Sequence, residues 1–204
     1  MSNLDLTKVN IAIDRLLKVT KNPRHRFLLQ TYSRHRYLEI AGRYQEIFAP
    51  EMMVDHPVYH FRALGIDATL DGREAIQGLY ALWTATNQCI FYAENEQVAV
   101  ADNFTVSTAV TYQQTQGKAL AANGVKLEDP NAMYLYKARQ QMIWHYDDRG
   151  RLIGEDVWEV NPSQAEEIIK LDPKAVVTVA QAAQKLEHLI KPLPKFDEAV
   201  PEVV

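Results

Sequence analysis

Residues 133–160 read MYLYKARQQMIWHYDDRGRLIGEDVWEV, and this stretch decides the fold class. Tyr134, Tyr136, Met142, Trp144 and Tyr146 fall on one side of an alternation, with Lys137, Arg139, Gln141 and His145 on the other. A period of two belongs to a strand with one buried face. Asp147-Asp148-Arg149-Gly150 is a turn signal, and Arg151 to Val160 resumes the extended pattern, so the two runs read as an antiparallel hairpin. The period of two begins after Asn87. Val98, Val100, Phe104, Val106, Val110 and Tyr112 share a bulky face, and Ala99, Ala101, Asn103, Thr105, Ser107 and Thr111 share a small, polar one. These residues read as one long strand, and Gly117 to Pro130 as a loop.

Upstream the period is helical. Apolar residues recur three or four apart from Leu4 to Phe48, with a break at Lys21-Asn22-Pro23, where Pro23 suits a helix start. Met52 to Phe61 is extended, and Pro57 confines it to an edge or an irregular strand. After a loop, Asp71-Gly72-Arg73-Glu74 reads as a capping box opening a helix to about Thr86, with Ile76, Leu79, Tyr80 and Trp83 as its buried stripe. Helices first and a run of strands later predict an α+β fold with an antiparallel sheet. Beyond Asn161-Pro162, Ser163 with Glu166 and Asp172-Pro173 predict two further helices, followed by a tail. The expected organisation is a domain over residues 1–160, with its core at about 25–160, and a helical C-terminal extension over 161–204.

The chain has 204 residues, 47% apolar and 24% charged, enough for one domain with a full core. A net charge of −4 gives no basic face for a nucleic-acid partner. The cluster Arg24, His25, Arg26, Arg34, His35, Arg36 reads as the solvated face of a helix. Cys89 is the sole cysteine, which fits a reducing compartment. No signal-peptide pattern and no membrane-spanning apolar run occurs, so a cytoplasmic protein without membrane contact is expected. Gly-rich phosphate loops, Ser or Cys nucleophile motifs and zinc spacings are missing from the sequence, so no cofactor and no metal are expected.

Three segments in order, Phe48-Ala49-Pro50 through Val54-Asp55-His56-Pro57, then Asp71-Gly72-Arg73-Glu74-Ala75-Ile76, then Asp147 through Trp158, resemble the nuclear-transport-factor-2-like superfamily. Within it the likeness is to SnoaL-like polyketide cyclases, ketosteroid isomerase and scytalone dehydratase. The resemblance implies a cone with a deep pocket at its open end and dimerisation through the outer sheet face. It also implies that His56, just before the matching proline, stands where ketosteroid isomerases carry their general base, and that Tyr32 stands where they carry an oxyanion-stabilising tyrosine. Scytalone dehydratase has a tyrosine at the position of His56 and an aspartate at that of Asp55, so the sequence departs from both relatives there.

Several readings stay open on the residues themselves. His56 is the first candidate for moving a proton, because imidazole titrates near neutrality; the alternative is a structural histidine at a corner. His60 shares its face if the strand is regular, whereas Asp55 and Tyr59 become the catalytic set if the parity is reversed. Asp156 either orients a histidine inside the pocket or lies on the outer face. Tyr59, Trp83, Phe104, Tyr112, Tyr134, Trp144 and Trp158 are candidate substrate-binding aromatics, or simply core. The function expected is a cofactor-independent lyase or isomerase working by acid–base chemistry on a hydrophobic, aromatic small molecule: dehydration, retro-aldol cleavage such as deformylation, or a double-bond shift. The protein is expected to be a homodimer or higher homo-oligomer. The rival is a non-catalytic small-molecule carrier or dimeric interaction module. The apolar stripes of the extension are expected to cover the mouth of the cone.

Overall fold

A computed structural model describes residues 4–160 and 167–201. Asn22 caps the helix that organises the fold, its side chain accepting from His25 N–H at 3.1 Å with Pro23 in the first turn. This helix, α2 (Pro23–Ile40), follows α1 (Ile11–Val19). It ends at Gly42, whose φ of +67° a side chain would strain. Its buried residues include Leu28, Leu29, Tyr32, His35, Arg36 and Leu38. Burial of the three leucines stabilises the fold by roughly 1.5–3 kcal/mol each. His35 and Arg36 are therefore core residues, which corrects the reading of that cluster as a solvated face.

Among the described residues the sheet has seven strands: β1 (Met53–Ala63), β2 (Ile66–Asp71), β3 (Phe91–Val100), β4 (Phe104–Gln116), β5 (Met133–Tyr146), β6 (Leu152–Glu159) and β7 (Glu167–Lys170). The order is β2-β1-β6-β5-β4-β3, and β7 pairs with β5. β1 and β6 run parallel and the other pairs antiparallel, so the sheet is mixed rather than purely antiparallel. It is curved and unclosed, and α2 lies against its inner face, with Tyr32 touching Trp144 of β5 at 4.5 Å between ring centroids. The helix α3 (Arg73–Ala85) buries Ile76, Tyr80 and Trp83 as expected.

Several local expectations change. Residues 98–112 are two strands, because the chain reverses at Asp102-Asn103, where Ala101 N–H donates to Phe104 O at 2.9 Å. Arg24 holds that turn by donating to Asp102 O at 2.6 Å. The expected loop after β1 contains β2, and the loop after β4 contains α4 (Gly117–Ala122). Asp71 does not cap α3; Gly72 does, without a side-chain bond, and Asp71 Oδ1 lies 2.7 Å from His56 Nε2 instead. In the extension, Ser163 to Glu166 lie outside the described residues, Glu167–Lys170 form a strand rather than a helix, and Asp172-Pro173 opens only a short 3-10 turn.

The extension continues with α5 (Val179–Leu186), capped by Thr178 and Gln181, and a short α6 (Phe196–Ala199). Ala182, Leu186 and Ile190 join the main core. Gln114 fastens the segment by donating to Val177 O at 2.9 Å and accepting from Val177 N–H at 3.0 Å. No described helix is long and apolar enough to cross a membrane.

Candidate active site

The functional side chains follow from three facts of local geometry. On α2, positions 28, 32, 35, 36 and 39 form one helical stripe, so Tyr32, His35, Arg36 and Glu39 point where an all-apolar helix would place leucines. On β4, the small face turns inward: Thr105, Ser107 and Thr111 are buried while Phe104 is 40% exposed. On β6, the pairing shifts between His145/Gly154 and Tyr146/Leu152, leaving Ile153 bulged out and 41% exposed. After that bulge Glu155, Val157 and Glu159 face in, and Asp156 and Trp158 face out.

These inward residues enclose a cavity of about 50 Å³ lined by Arg36, Glu39, Phe61, Trp83, Phe91, Thr111, Gln113, Gln140, Met142, Trp144, Glu155 and Val157. No lining residue comes from 167–201; that segment pairs with β5 through β7 and packs on α2 through α5 and α6. Glu39 is pushed up to about 8 by burial, against the pull of Arg36. Glu155 is held well above the usual carboxylate range by burial and then by the charge of Glu39, with the charge of Arg36 opposing. Two like carboxyls lining one cavity resist ionising together and titrate as a pair. Near neutral pH the cavity therefore holds at least one carboxylic acid.

The cation beside them is already paired. Arg36 Nη1 donates to both Glu96 oxygens at 2.8 and 3.0 Å, with the two side chains 2% and 3% exposed. Ser107 Oγ donates to the same carboxylate at 2.7 Å. The guanidinium lies over the Tyr32 ring at 5.3 Å and the Phe91 ring at 5.5 Å. Arg36 Nε and Nη2, Trp144 Nε1 and the hydroxyls of Tyr32, Tyr59 and Tyr146 are buried without hydrogen-bond partners. His35 Nε2 is 2.9 Å from Tyr80 Oη, and burial lowers the imidazole to about 3, so it stays neutral.

The expected site residues separate into two groups. Inside are Trp83 and Trp144, which line the cavity, and Tyr32 and Tyr59, fully enclosed behind it. Tyr134 is also buried but spends its hydroxyl on Asp129 O at 3.0 Å. Outside are His56, 71% exposed, and Asp55, fully exposed, because the chain between Met53 and Val58 leaves its register with β6. Outside too are His60 and Asp156, which the structure brings together: His60 Nδ1 lies 2.7 Å from Asp156 Oδ1 and His145 Nε2 lies 2.8 Å from Asp156 Oδ2. Partial burial would raise Asp156, but hydrogen bonds from His145 and His60 outweigh it and hold the carboxyl below its usual range. Phe104 and Trp158 lie on the outer face, and Tyr112 lines a cleft of about 500 Å³ between that face and the extension. The carboxylate and the ammonium group of that cleft, Glu167 and Lys185, are exposed. Among the described residues no group of three or more His, Cys, Asp or Glu is arranged to hold a metal ion.

Arg36, Glu39 and Glu155 are the residues the sequence reading missed. Their signal was present: charged residues on the apolar stripe of α2, and a glutamate alternating with Val157.

No protein-family model matches the sequence, and no curated protein matches it. Solved structures do. A protein from Jannaschia sp. CCS1 described as a SnoaL-like polyketide cyclase is 14% identical, with 69% of this chain and 90% of that one covered and a TM-score of 0.50. IdmH from Streptomyces antibioticus, described as a polyketide cyclase, is 14% identical over 64% of this chain and 90% of its own, with a TM-score of 0.46. The CaMKII hub of S. rosetta is 11% identical over 70% of this chain and all of its own, with a TM-score of 0.44. The first of these establishes the architecture: the chain has the nuclear-transport-factor-2-like α+β cone fold, the fold of a SnoaL-like cyclase.

Proposed function

We propose that the protein is a cofactor-independent acid–base enzyme of the lyase or isomerase kind, working inside the cone. One observation carries the reading: Glu39 and Glu155 line one cavity and are both kept from ionising at ordinary carboxylate pH. Glu39, near 8, changes charge close to neutrality and takes the proton from carbon or hydroxyl, as an efficient general base requires. Glu155 remains an acid and donates to the oxygen on which charge develops. Proton abstraction at one end and protonation at the other serves dehydration, a double-bond shift or a retro-aldol step alike.

The space narrows the substrate. About 50 Å³ holds a few water-sized units at ~10–15 Å³ each and falls short of the ~150 Å³ that takes a benzene ring. A compound of few heavy atoms bearing a carbonyl or hydroxyl fits as the side chains stand, so the aromatic lining serves to exclude water more than to stack a ring. The test is a screen of small keto and hydroxy compounds for turnover, or for exchange of protons next to a carbonyl with deuterated solvent. Glu39→Gln should lower the rate on the order of 10²–10⁴-fold. An unchanged rate in a folded Glu39→Gln protein would sink the reading.

Association through the outer face is part of the proposal, because Phe104 and Ile153 stay 40% and 41% exposed there. Light scattering on wild type and Phe104→Asp measures it; a monomeric wild type rules it out.

A further inference from the structure

An arginine presents two two-pronged edges. Nη1 of Arg36 spends its bonds on both oxygens of Glu96, while Nε and Nη2, which together make the other edge, are buried with no partner. Aromatic rings at 5.3 and 5.5 Å from the guanidinium carbon cover its face, so whatever satisfies this edge must approach in the guanidinium plane. Buried donors left empty cost free energy that a bound acceptor restores.

We propose that the Nε/Nη2 edge of Arg36 is a carboxylate fork and that the cavity takes a small aliphatic monocarboxylic acid. This deepens the acid–base reading of the same cavity and rests on it for what happens to the acid after it binds. Two parallel N–H donors match the two oxygens of a planar carboxylate. A monoanion fits better than a phosphoryl dianion, because Arg36 is the one cation among the lining residues and Glu96 already offsets its charge. The lining of Phe61, Trp83, Met142 and Val157 suits a short hydrocarbon stem.

The experiment is a titration of wild-type protein with acetate and with pyruvate, read on the Arg36 Nε–H resonance in a nitrogen-15 spectrum and by calorimetry. Acetamide and acetone are the neutral counterparts. We expect saturable shifts of the Nε–H signal with both acids and affinity at least about tenfold weaker for the neutral compounds. Arg36→Lys, which keeps the charge beside Glu96 and removes the fork, should raise the dissociation constant about 10–100-fold. If neither acid moves the Nε–H signal, or acetamide binds as well as acetate, the edge holds only water and the proposal is wrong. Because the wild-type titration needs no variant, a poorly folded Arg36→Lys protein does not rescue it. Acid binding without turnover would overturn the acid–base reading and keep the fork. Turnover of neutral ketones without acid binding would do the reverse.

Discussion

Replacing Glu39 by glutamine should change how stability depends on pH. In the folded protein this carboxyl sits near 8 because it is buried, compared with 4.5 for an unperturbed glutamate. Between those values the folded state keeps a proton that the unfolded chain has released, so stability falls as pH rises through this window and is level above it. At ~1.4 kcal/mol per pH unit the bound on this loss is roughly 4–5 kcal/mol, and local relaxation with water entry reduces it to about 2–4. Glutamine has the same shape and no proton to lose. Urea unfolding at pH 5, 6.5 and 8 should therefore show wild type losing stability relative to Glu39→Gln by that amount. Glu155 adds a slope of the same sign, raised by burial and the charge of Glu39. His35, lowered to about 3 by burial, adds the opposite sign, stabilising as pH rises toward 6.5. The difference between wild type and variant cancels His35 and reports Glu39 together with its coupling to Glu155. Parallel curves for the two proteins would mean that Glu39 is ionised in the fold, and the reasoning about the cavity would fail.

Other outcomes follow from the same geometry. Glu96→Ala leaves Arg36 buried without its partner and should cost about 3–5 kcal/mol in urea unfolding, much of which the double change Arg36→Met with Glu96→Leu should recover. His56→Ala should alter stability by less than ~0.5 kcal/mol and leave turnover unchanged, since its contact with Asp71 is exposed at both ends. Leu186→Ala removes a core side chain and should cost about 2–5 kcal/mol in unfolding while leaving the Michaelis constant as it was, because the extension does not line the cavity. Activity should survive exhaustive chelation, since the acid–base pair needs no metal; loss on chelation with rescue by zinc would reverse that.

The architecture was legible because its signals are local. The hairpin across Asp147 to Gly150, the Pro23 helix start and the stripe of α3 each rest on neighbours a few residues away. The site was not legible because it depends on two parity changes that no local pattern records. The bulge at Ile153 moves Glu155 inward and Asp156 outward, and the register break between Met53 and Val58 sends Asp55 and His56 to solvent. A bulky strand face ordinarily marks a core. On β4 the small, polar face turns inward instead, and Ser107 donates there to Glu96. Charged residues on the inner stripe of α2 read as surface. Their partners, on β3 and β6, lie far along the chain.

The most direct measurement is a carbon-13 NMR titration of the side-chain carboxyls of Glu39 and Glu155 in the wild-type protein. The account predicts that at pH 6 both are protonated, and that one carboxyl titrates close to 8 while the other keeps its proton. Two carboxylates already ionised at pH 6, with midpoints in the ordinary range, would contradict it.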